Sequence, residues 1–111
     1  TQNLIFECSR IKIDFSKRIV TIEGVETHLT PTEYSLLKYF AIHSGKIITH
    51  TQILREVWGP NFEGDTNYLR VYINQIRKKI ELNPTLPERL ITEPGVGNRL
   101  IYGENQYEEI A

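Results

Sequence analysis

The stretch from Thr66 to Lys79 concentrates side chains that donate hydrogen bonds to anionic or polar partners. It contains four basic residues, Arg70, Arg77, Lys78 and Lys79, and no acidic residue. Arginine pairs with guanine through two hydrogen bonds, asparagine and glutamine pair with adenine, and all of these side chains can donate to phosphate oxygens. Ordinary surface helices mix charges of both signs, so the lack of acidic residues favours a nucleic-acid surface over a merely solvated one.

The apolar residues of the same stretch recur with helical spacing. They form one stripe that consists of Leu69, Tyr72 or Ile73, Ile76 and Ile80. This spacing predicts a helix over roughly residues 66–82 that packs the stripe into the core. Asp65 or Thr66 can cap its start, and Asn83-Pro84 ends it.

The opposite side of this helix carries the polar donors. These are Thr66, Asn67, Arg70, Asn74, Gln75, Arg77 and Lys78. Because an α-helix fits into the major groove of duplex DNA, this side is the candidate surface for contacts to base edges and phosphates. Lys79 is a further candidate for a phosphate contact.

Two shorter helices are predicted before the long one. Thr30, Pro31 and Glu33 have the types and spacing of a capping box with proline at the first helical position. The second helix begins at Thr49 and ends at Gly59-Pro60. The loop that follows joins it to the long helix.

Short strands are predicted at both ends of the chain. Apolar and β-branched residues form runs at 4–6, 11–15, 19–22 and 25–29, and the short links between them require antiparallel pairing. Near the C-terminus, residues 90–92 and 99–102 flank a Gly/Pro-rich turn and predict a β-hairpin. The order of elements predicts an α+β fold, a winged helix-turn-helix with an N-terminal antiparallel β-sheet, three helices and a C-terminal β-hairpin wing.

The composition is that of one ordinary globular domain. The chain has 111 residues, of which 40% are hydrophobic and 24% charged, and this length suits a single core. We expect a winged-helix domain over residues 1–102 and a frayed acidic tail over 103–111. The formal net charge is −1, but the tail holds three glutamates, so residues 1–102 have two more basic than acidic residues.

Patterns that indicate catalysis or metal binding are missing from the sequence. Cys8 is the single cysteine, so we expect a buried apolar role for it and a cytoplasmic, reducing compartment. His28, His43 and His50 do not stand at motif spacing from a nucleophile or from other metal ligands. No run approaches the roughly 18 apolar residues of a membrane span. We therefore expect no enzyme activity, no metal, no cofactor and no membrane partner.

Four motifs in order along the chain resemble one known family. They are the run LTPTEYSLL at 29–37, VWG at 57–59, the segment 68–80, and GVG at 95–97 followed by Arg99. Together they cover about residues 4–102 and resemble the DNA-binding domain of response regulators of the OmpR/PhoB winged-helix family. The runs 58–61 and 67–72 are most similar to the members that control a high-affinity potassium-uptake operon.

The resemblance implies the output domain of a two-component transcriptional regulator that binds double-stranded promoter DNA sequence-specifically. The helix over 66–82 then becomes the recognition helix, with Asn74, Gln75 and Arg77 facing the groove and Thr66 and Asn67 near phosphates. Family members bind direct repeats as dimers, and we expect the isolated domain to be a monomer. Their phosphorylated receiver domain lies outside this sequence.

The resemblance also implies contacts outside the helix. Arg99 becomes the wing arginine that reaches the minor groove, whose negative potential attracts arginine. Trp58 is expected to pack at the end of the second helix, with a possible phosphate contact from its indole N–H. The loop with Pro60, Asn61, Phe62 and Glu63 is expected to contact RNA polymerase.

One residue departs from the family pattern, and one alternative function stays open. Asn98 stands where many members have an aromatic residue, so we expect the wing to pack differently there. The alternative is a winged-helix module for protein–protein interaction that does not bind DNA. Salt distinguishes the two, because binding through several phosphates weakens steeply as salt rises.

Overall fold

The first four elements of the chain are strands of an antiparallel sheet. The structure is a computed structural model, and it describes residues 3–62, 64–101 and 107–110. Within these residues the first sheet has five strands in the order β4-β3-β2-β1-β8. Their bounds are β1 Asn3–Cys8, β2 Ile11–Asp14, β3 Ile19–Ile22, β4 Val25–Thr27 and β8 Tyr107–Ile110. The expected N-terminal antiparallel strands are all present.

Alternating side chains and a tight turn set the register of this sheet. In β2, Ile11 and Ile13 are buried while Lys12 between them is exposed, as a one-sided sheet requires. The turn between β3 and β4 places both Glu23 and Gly24 at positive φ. That conformation matches the twist of a two-residue hairpin and favours glycine.

Three helices lie within the described residues, and each begins at a capped residue. α1 spans Pro31–Ile42, α2 spans His50–Val57 and α3 spans Thr66–Ile80. The capping box at α1 is confirmed, because the Glu33 N–H donates to Thr30 Oγ1 at 3.3 Å and the Thr30 N–H donates to the Glu33 carboxylate at 3.0 Å.

Side chains also cap the two later helices. Thr49 Oγ1 accepts from the Gln52 N–H at 3.2 Å. Of the two candidates at α3, Asp65 is the cap, and its carboxylate accepts from the Tyr68 N–H at 3.4 Å. A 3₁₀ turn, Pro60–Phe62, lies in the loop between α2 and α3.

The wing is a hairpin of β6 Leu90–Glu93 and β7 Gly97–Leu100, as expected. A short strand that the sequence pattern does not predict, β5 Ile48–Thr49, pairs with the other side of β7. The second sheet in the described residues therefore has the order β5-β7-β6. Because α2 begins directly after β5, this pairing fixes the start of α2 against the wing.

The core lies between α1, α2, α3 and the two sheets. The stripe of α3 is buried as predicted, with Ile73 rather than Tyr72 at the ambiguous position. The fully buried large side chains are Phe6, Ile11, Ile13, Leu36, Leu37, Phe40, Ile53, Leu54, Leu69, Ile76, Ile80 and Leu90. Every helix and the first sheet contribute to this cluster, so α3 is held from several sides.

A buried ionic network ties the end of α3 to both sheets. The Glu81 carboxylate accepts hydrogen bonds from the backbone N–H groups of Glu88, Arg89 and Leu90. The Arg89 side chain, which is 5% exposed, donates to the Ser9 and Ile80 carbonyls and pairs with Glu23. These bonds end α3 at Ile80, two residues before the expected limit.

The C-terminal residues differ from the expectation of a frayed tail. The backbone of β8 pairs antiparallel with β1, with Asn3 opposite Ile110 and Phe6 opposite Tyr107. Residues 107–110 thus form a strand of the first sheet instead of part of a frayed tail. The expected strand residue Tyr102 and the rest of 102–106 lie outside the described residues.

A glycine in the wing is required by close backbone packing, which generates a first prediction. A Cβ atom at Gly97 would lie 1.9 Å from the Ile48 carbonyl oxygen of β5. We expect Gly97→Ala to lower the free energy of unfolding by about 1–3 kcal/mol or more, since β5 must move away. Urea unfolding checks this. Gly64→Ala, where a Cβ atom meets nothing within 4 Å, is the matched control, and equal stability of the two variants would contradict the prediction.

The buried carboxylate of Glu33 joins α1 to α3. Besides capping α1, it accepts from Lys79 Nζ at 2.6 Å. Burial acts to raise the pKa of Glu33, but the hydrogen bonds from Lys79 and from Thr30 outweigh it and lower the pKa below its ordinary value of 4.5. A carboxyl group whose pKa is lowered by folding adds to the free energy of unfolding at pH values above its ordinary pKa. This contribution is lost as the pH falls through the lowered pKa.

This ion pair predicts a pH-dependent loss of stability. In Glu33→Gln the cap is retained, since glutamine also serves in a capping box, but the charge facing Lys79 is removed. We expect the free energy of unfolding to fall by about 1.5–3 kcal/mol at neutral pH. As pH decreases below 4.5, we expect the variant to lose less stability than the wild type does. Thermal unfolding across pH measures both effects. The exposed Glu26→Gln serves as the control, and a pH profile unchanged from wild type in Glu33→Gln would refute the assignment.

Candidate nucleic-acid interface

The solvent-facing side of α3 presents most of the residues that the sequence singles out. Six of the seven expected recognition-helix residues are exposed: Thr66, Asn67, Arg70, Asn74, Gln75 and Lys78. They lie opposite the buried residues Leu69, Ile73, Ile76 and Ile80. The structure therefore brings these six donors together on the exposed side of α3, which has no acidic residue between Thr66 and Ile80.

A groove runs beside this surface, between α3, the start of α2 and the wing. It has a volume of about 180 Å³. Its described lining residues are His50, Thr66, Leu69, Arg70, Ile73, Asn74, Arg77, Thr92 and Asn98. Two arginines and several neutral hydrogen-bonding groups line it, with no carboxylate among those residues. The groove is therefore electrostatically suited to an anionic partner.

Arg77, the seventh expected recognition-helix residue, is oriented differently from the other six. Its guanidinium donates to the Leu90 carbonyl from Nε at 3.1 Å and from Nη2 at 2.9 Å, and Nη2 also donates to Thr92 Oγ1 at 2.6 Å. Burial lowers the pKa of Arg77, and Glu81 partly opposes that effect. The side chain thus packs against the wing in this structure, and its contact with DNA stays a prediction.

Lys79 and Arg99 also have partners within the domain. Lys79 Nζ contacts Glu33 at 2.6 Å, so it is turned toward α1. Arg99 lies within β7 opposite Ile91, and its Nε donates to the Glu93 carboxylate at 3.3 Å. The tip of the wing is formed by residues 94–96, a Pro-Gly-Val turn. Arg99 is therefore the third residue of β7, which corrects the predicted strand over 99–102, in which it would be the first residue after the turn.

An aromatic cluster connects the loop before α3 to the helix itself. The ring centroid of half-buried Trp58 lies 5.4 Å from that of Tyr68 and 5.2 Å from that of Tyr72. Phe62 stacks on Tyr68 at 5.9 Å. The packing role expected for Trp58 is thus present. Pro60, Asn61 and Phe62 are exposed, while Glu63 lies outside the described residues.

Three residues of this surface are not among those predicted from the sequence. Val71 is 54% exposed in the middle of the polar face of α3, and its place off the apolar stripe could have revealed it. His50 and Thr92 line the groove, but no local signal indicates this. Their position depends on how β5 and the wing pack against α3.

Other kinds of site are not indicated in the described part of the chain. Residues 3–62, 64–101 and 107–110 contain no group of three or more His, Cys, Asp or Glu side chains that could hold a metal ion. No helix among them is long and apolar enough to cross a membrane. Cys8 is buried, its thiol donates to the Ile101 carbonyl at 3.0 Å, and burial raises the pKa of that thiol.

Similar sequences include two transcriptional regulatory proteins and a sensory transduction protein. The chain is 41% identical over 95 residues to the transcriptional regulatory protein KdpE of Mycobacterium tuberculosis, covering 86% of this chain and 42% of that protein. It is 39% identical over 93 residues to the KDP operon transcriptional regulatory protein KdpE of Escherichia coli, covering 84% and 41%. The sensory transduction protein RegX3 of Mycobacterium leprae is 33% identical, covering 86% and 48%. The chain thus spans less than half the length of these relatives.

A solved structure shares the fold. The DNA-binding domain of RstA from Klebsiella pneumoniae, solved in complex with the RstA box, superposes with a TM-score of 0.80 at 26% identity and covers 87% of this chain and 96% of that one. The expected winged helix-turn-helix is thereby confirmed.

A family model described as "Transcriptional regulatory protein, C terminal" matches residues 16–100. This match includes all three helices and the whole wing. The chain therefore belongs to that family, as an OmpR/PhoB-type winged-helix DNA-binding domain of a response regulator.

Proposed function

We propose that this domain recognises specific duplex promoter sequences by placing α3 in the major groove. The observation that carries the proposal is the surface of six exposed donors on α3, with no acidic residue between Thr66 and Ile80. A helix in the major groove can read every base pair through such donors. The RstA domain, which shares this fold, was solved in complex with its DNA box, and this supports DNA binding by this chain.

The exposed residues divide into two proposed roles. Asn74 and Gln75 lie at the middle of α3, where they can reach base edges, and the exposed methyl groups of Val71 beside them suit contact with a thymine methyl. Thr66 and Asn67 lie at the N-terminus of α3, where backbone N–H groups and the helix dipole favour a phosphate. Arg70 and Lys78 supply the positive charge that holds the backbone.

The remaining cations would contact DNA only after leaving a partner. Lys79 would have to release Glu33, and Arg99 would have to release Glu93 before it could enter the minor groove. Arg77 would have to leave Leu90 and Thr92. For Trp58 we propose a packing role together with a hydrogen bond from its indole N–H to a phosphate.

A pair of variants tests the division of roles. We expect Asn74→Ala to cost about 1–3 kcal/mol on a duplex selected for tight binding and much less on a random duplex, since it removes a base contact. We expect Lys78→Ala to weaken both duplexes alike and to lower the slope of log affinity against log salt by about one.

Fluorescence anisotropy with both duplexes over a salt series measures these effects. Equal losses of Asn74→Ala on the two duplexes would reject its role in base readout. If the wild-type domain bound no duplex even at low salt, the DNA-binding proposal itself would fail and the protein-interaction alternative would stand.

We further propose the setting in which the domain acts. In the full-length regulator it would be joined to a phosphorylated receiver domain and would bind direct repeats as a dimer, with control of a potassium-transport operon by analogy with the KdpE relatives. Selection of bound sequences from a random duplex pool would give the motif and the repeat spacing. A motif absent from the promoter of such an operon in the source genome would refute that assignment.

The loop before α3 is the proposed contact with RNA polymerase. Pro60, Asn61 and Phe62 are exposed, and Glu63 completes the segment. We expect Asn61→Ala and Phe62→Ala in the full-length regulator to reduce transcription activation while the affinity for promoter DNA changes less than twofold. Transcription in vitro and anisotropy on the same protein separate the two effects. Since Phe62 stacks on Tyr68 of α3, loss of DNA affinity in Phe62→Ala but not in Asn61→Ala would assign Phe62 to packing instead.

A further inference from the structure

Asn98 is a buried polar side chain in the middle of the wing. It lies in β7, the central strand of the second sheet, with Thr92 of β6 and Ile48 of β5 as its register partners. The residue is only 3% exposed. A buried amide must find hydrogen-bond partners, and its Nδ2 donates to Thr92 Oγ1 at 2.8 Å.

Thr92 connects this buried amide to α3. The same Oγ1 atom accepts a second hydrogen bond, from Arg77 Nη2 at 2.6 Å. Arg77 also holds the Leu90 carbonyl at the start of β6 through Nε and Nη2. Arg77 of α3 is thereby hydrogen-bonded to two residues of β6, Leu90 and Thr92, and Thr92 connects it to Asn98 of β7. We refer to Arg77, Thr92 and Asn98 as the polar clamp.

The polar clamp lies in the wall of the groove beside the exposed face of α3. Arg70 and Asn74, which we assign to DNA binding, line the same groove as all three clamp residues. The clamp therefore links α3 to the wing next to the surface where a duplex would lie. Asn98 is too deeply buried to touch DNA itself, so any effect it has on binding must pass through this geometry.

We propose that Asn98 and Thr92 are positioning residues for DNA recognition, holding the wing at a fixed angle to α3 through Arg77. The proposal rests on the proposed function of α3. A wing that is already oriented loses less conformational freedom when α3 and the wing engage one duplex together, and this favours binding. Without the Thr92 hydroxyl, Asn98 Nδ2 and Arg77 Nη2 would each lose one hydrogen-bond acceptor, and the hairpin would shift to satisfy the buried amide.

The experiment uses three substitutions in the clamp and the double variant of Thr92→Val with Asn98→Leu. Thr92→Val removes the hydroxyl of the exposed Thr92 and keeps the shape of its side chain. Asn98→Leu removes the amide and keeps the size of the side chain. Thr92→Ser keeps the hydroxyl. Thr21→Val in β3, far from the wing, controls for the chemical change. Affinity for the selected duplex is measured by anisotropy, and amide hydrogen exchange of β6 and β7 is measured without DNA.

We expect Thr92→Val and Asn98→Leu each to weaken binding to the selected duplex about tenfold, the equivalent of one buried hydrogen bond. The double variant should lose little more than Thr92→Val alone, because Thr92→Val already removes the hydrogen bond from Asn98 as well as the one from Arg77. Thr92→Ser should bind within about twofold of wild type. Hydrogen exchange in β6 and β7 should accelerate in both deleting variants and in neither Thr92→Ser nor Thr21→Val.

Two results would overturn the proposal. Additive losses in the double variant would show that Thr92 and Asn98 act separately, for example through a direct phosphate contact of Thr92. Unchanged hydrogen exchange in Thr92→Val, which remains folded because the residue is exposed, would show that no clamp exists. Failure of the wild-type domain to bind any duplex would instead reject the proposed function, and the exchange data would still decide whether the wing is clamped.

Discussion

The fold depends on the burial of one arginine between its two sheets. Arg89 precedes the first strand of the wing, yet its guanidinium reaches the Ser9 carbonyl after β1, the last carbonyl of α3, and Glu23 in the turn of the first sheet. A buried charge is tolerated only when its donors are satisfied, so these three elements must meet at one point. Glu81 adds three backbone hydrogen bonds beside it. The end of α3, and with it the direction of the whole helix, is thereby fixed.

Once α3 is fixed, its cations separate into two groups. Arg70 and Lys78 project to solvent, while Arg77 and Lys79 are held by the wing and by α1. The basic charge available to a phosphate backbone is thus smaller than the four residues suggest. In a chain with a formal net charge of −1, affinity for DNA of arbitrary sequence should be modest. Discrimination then depends on the amide side chains and on the geometry of the wing.

The features of the fold that depend on local sequence could be predicted, and those that depend on tertiary partners could not. The capping box of α1, the apolar stripe of α3 and the wing hairpin each follow from residues close together in the chain. Strand β5 has only two residues and exists because β7 lies beside it. The inward turn of Arg77 and Lys79 requires carbonyl and carboxylate groups from β6 and α1, so a helical wheel alone places them on the outside. Asn98 stood out as a departure from the family pattern, but only the structure shows its hydrogen bond to Thr92.

Strand β8 changes which backbone the first sheet presents to its surroundings. An unpaired strand edge offers free N–H and C=O groups to any extended segment of another molecule and so promotes aggregation. By pairing with β1 along 107–110, the C-terminal segment occupies that edge with the chain's own backbone. The outermost strand on this side of the first sheet is then β8 instead of β1. The backbone of β1, which pairs with β2 on one side and with β8 on the other, is thereby withdrawn from pairing with an extended segment of another molecule.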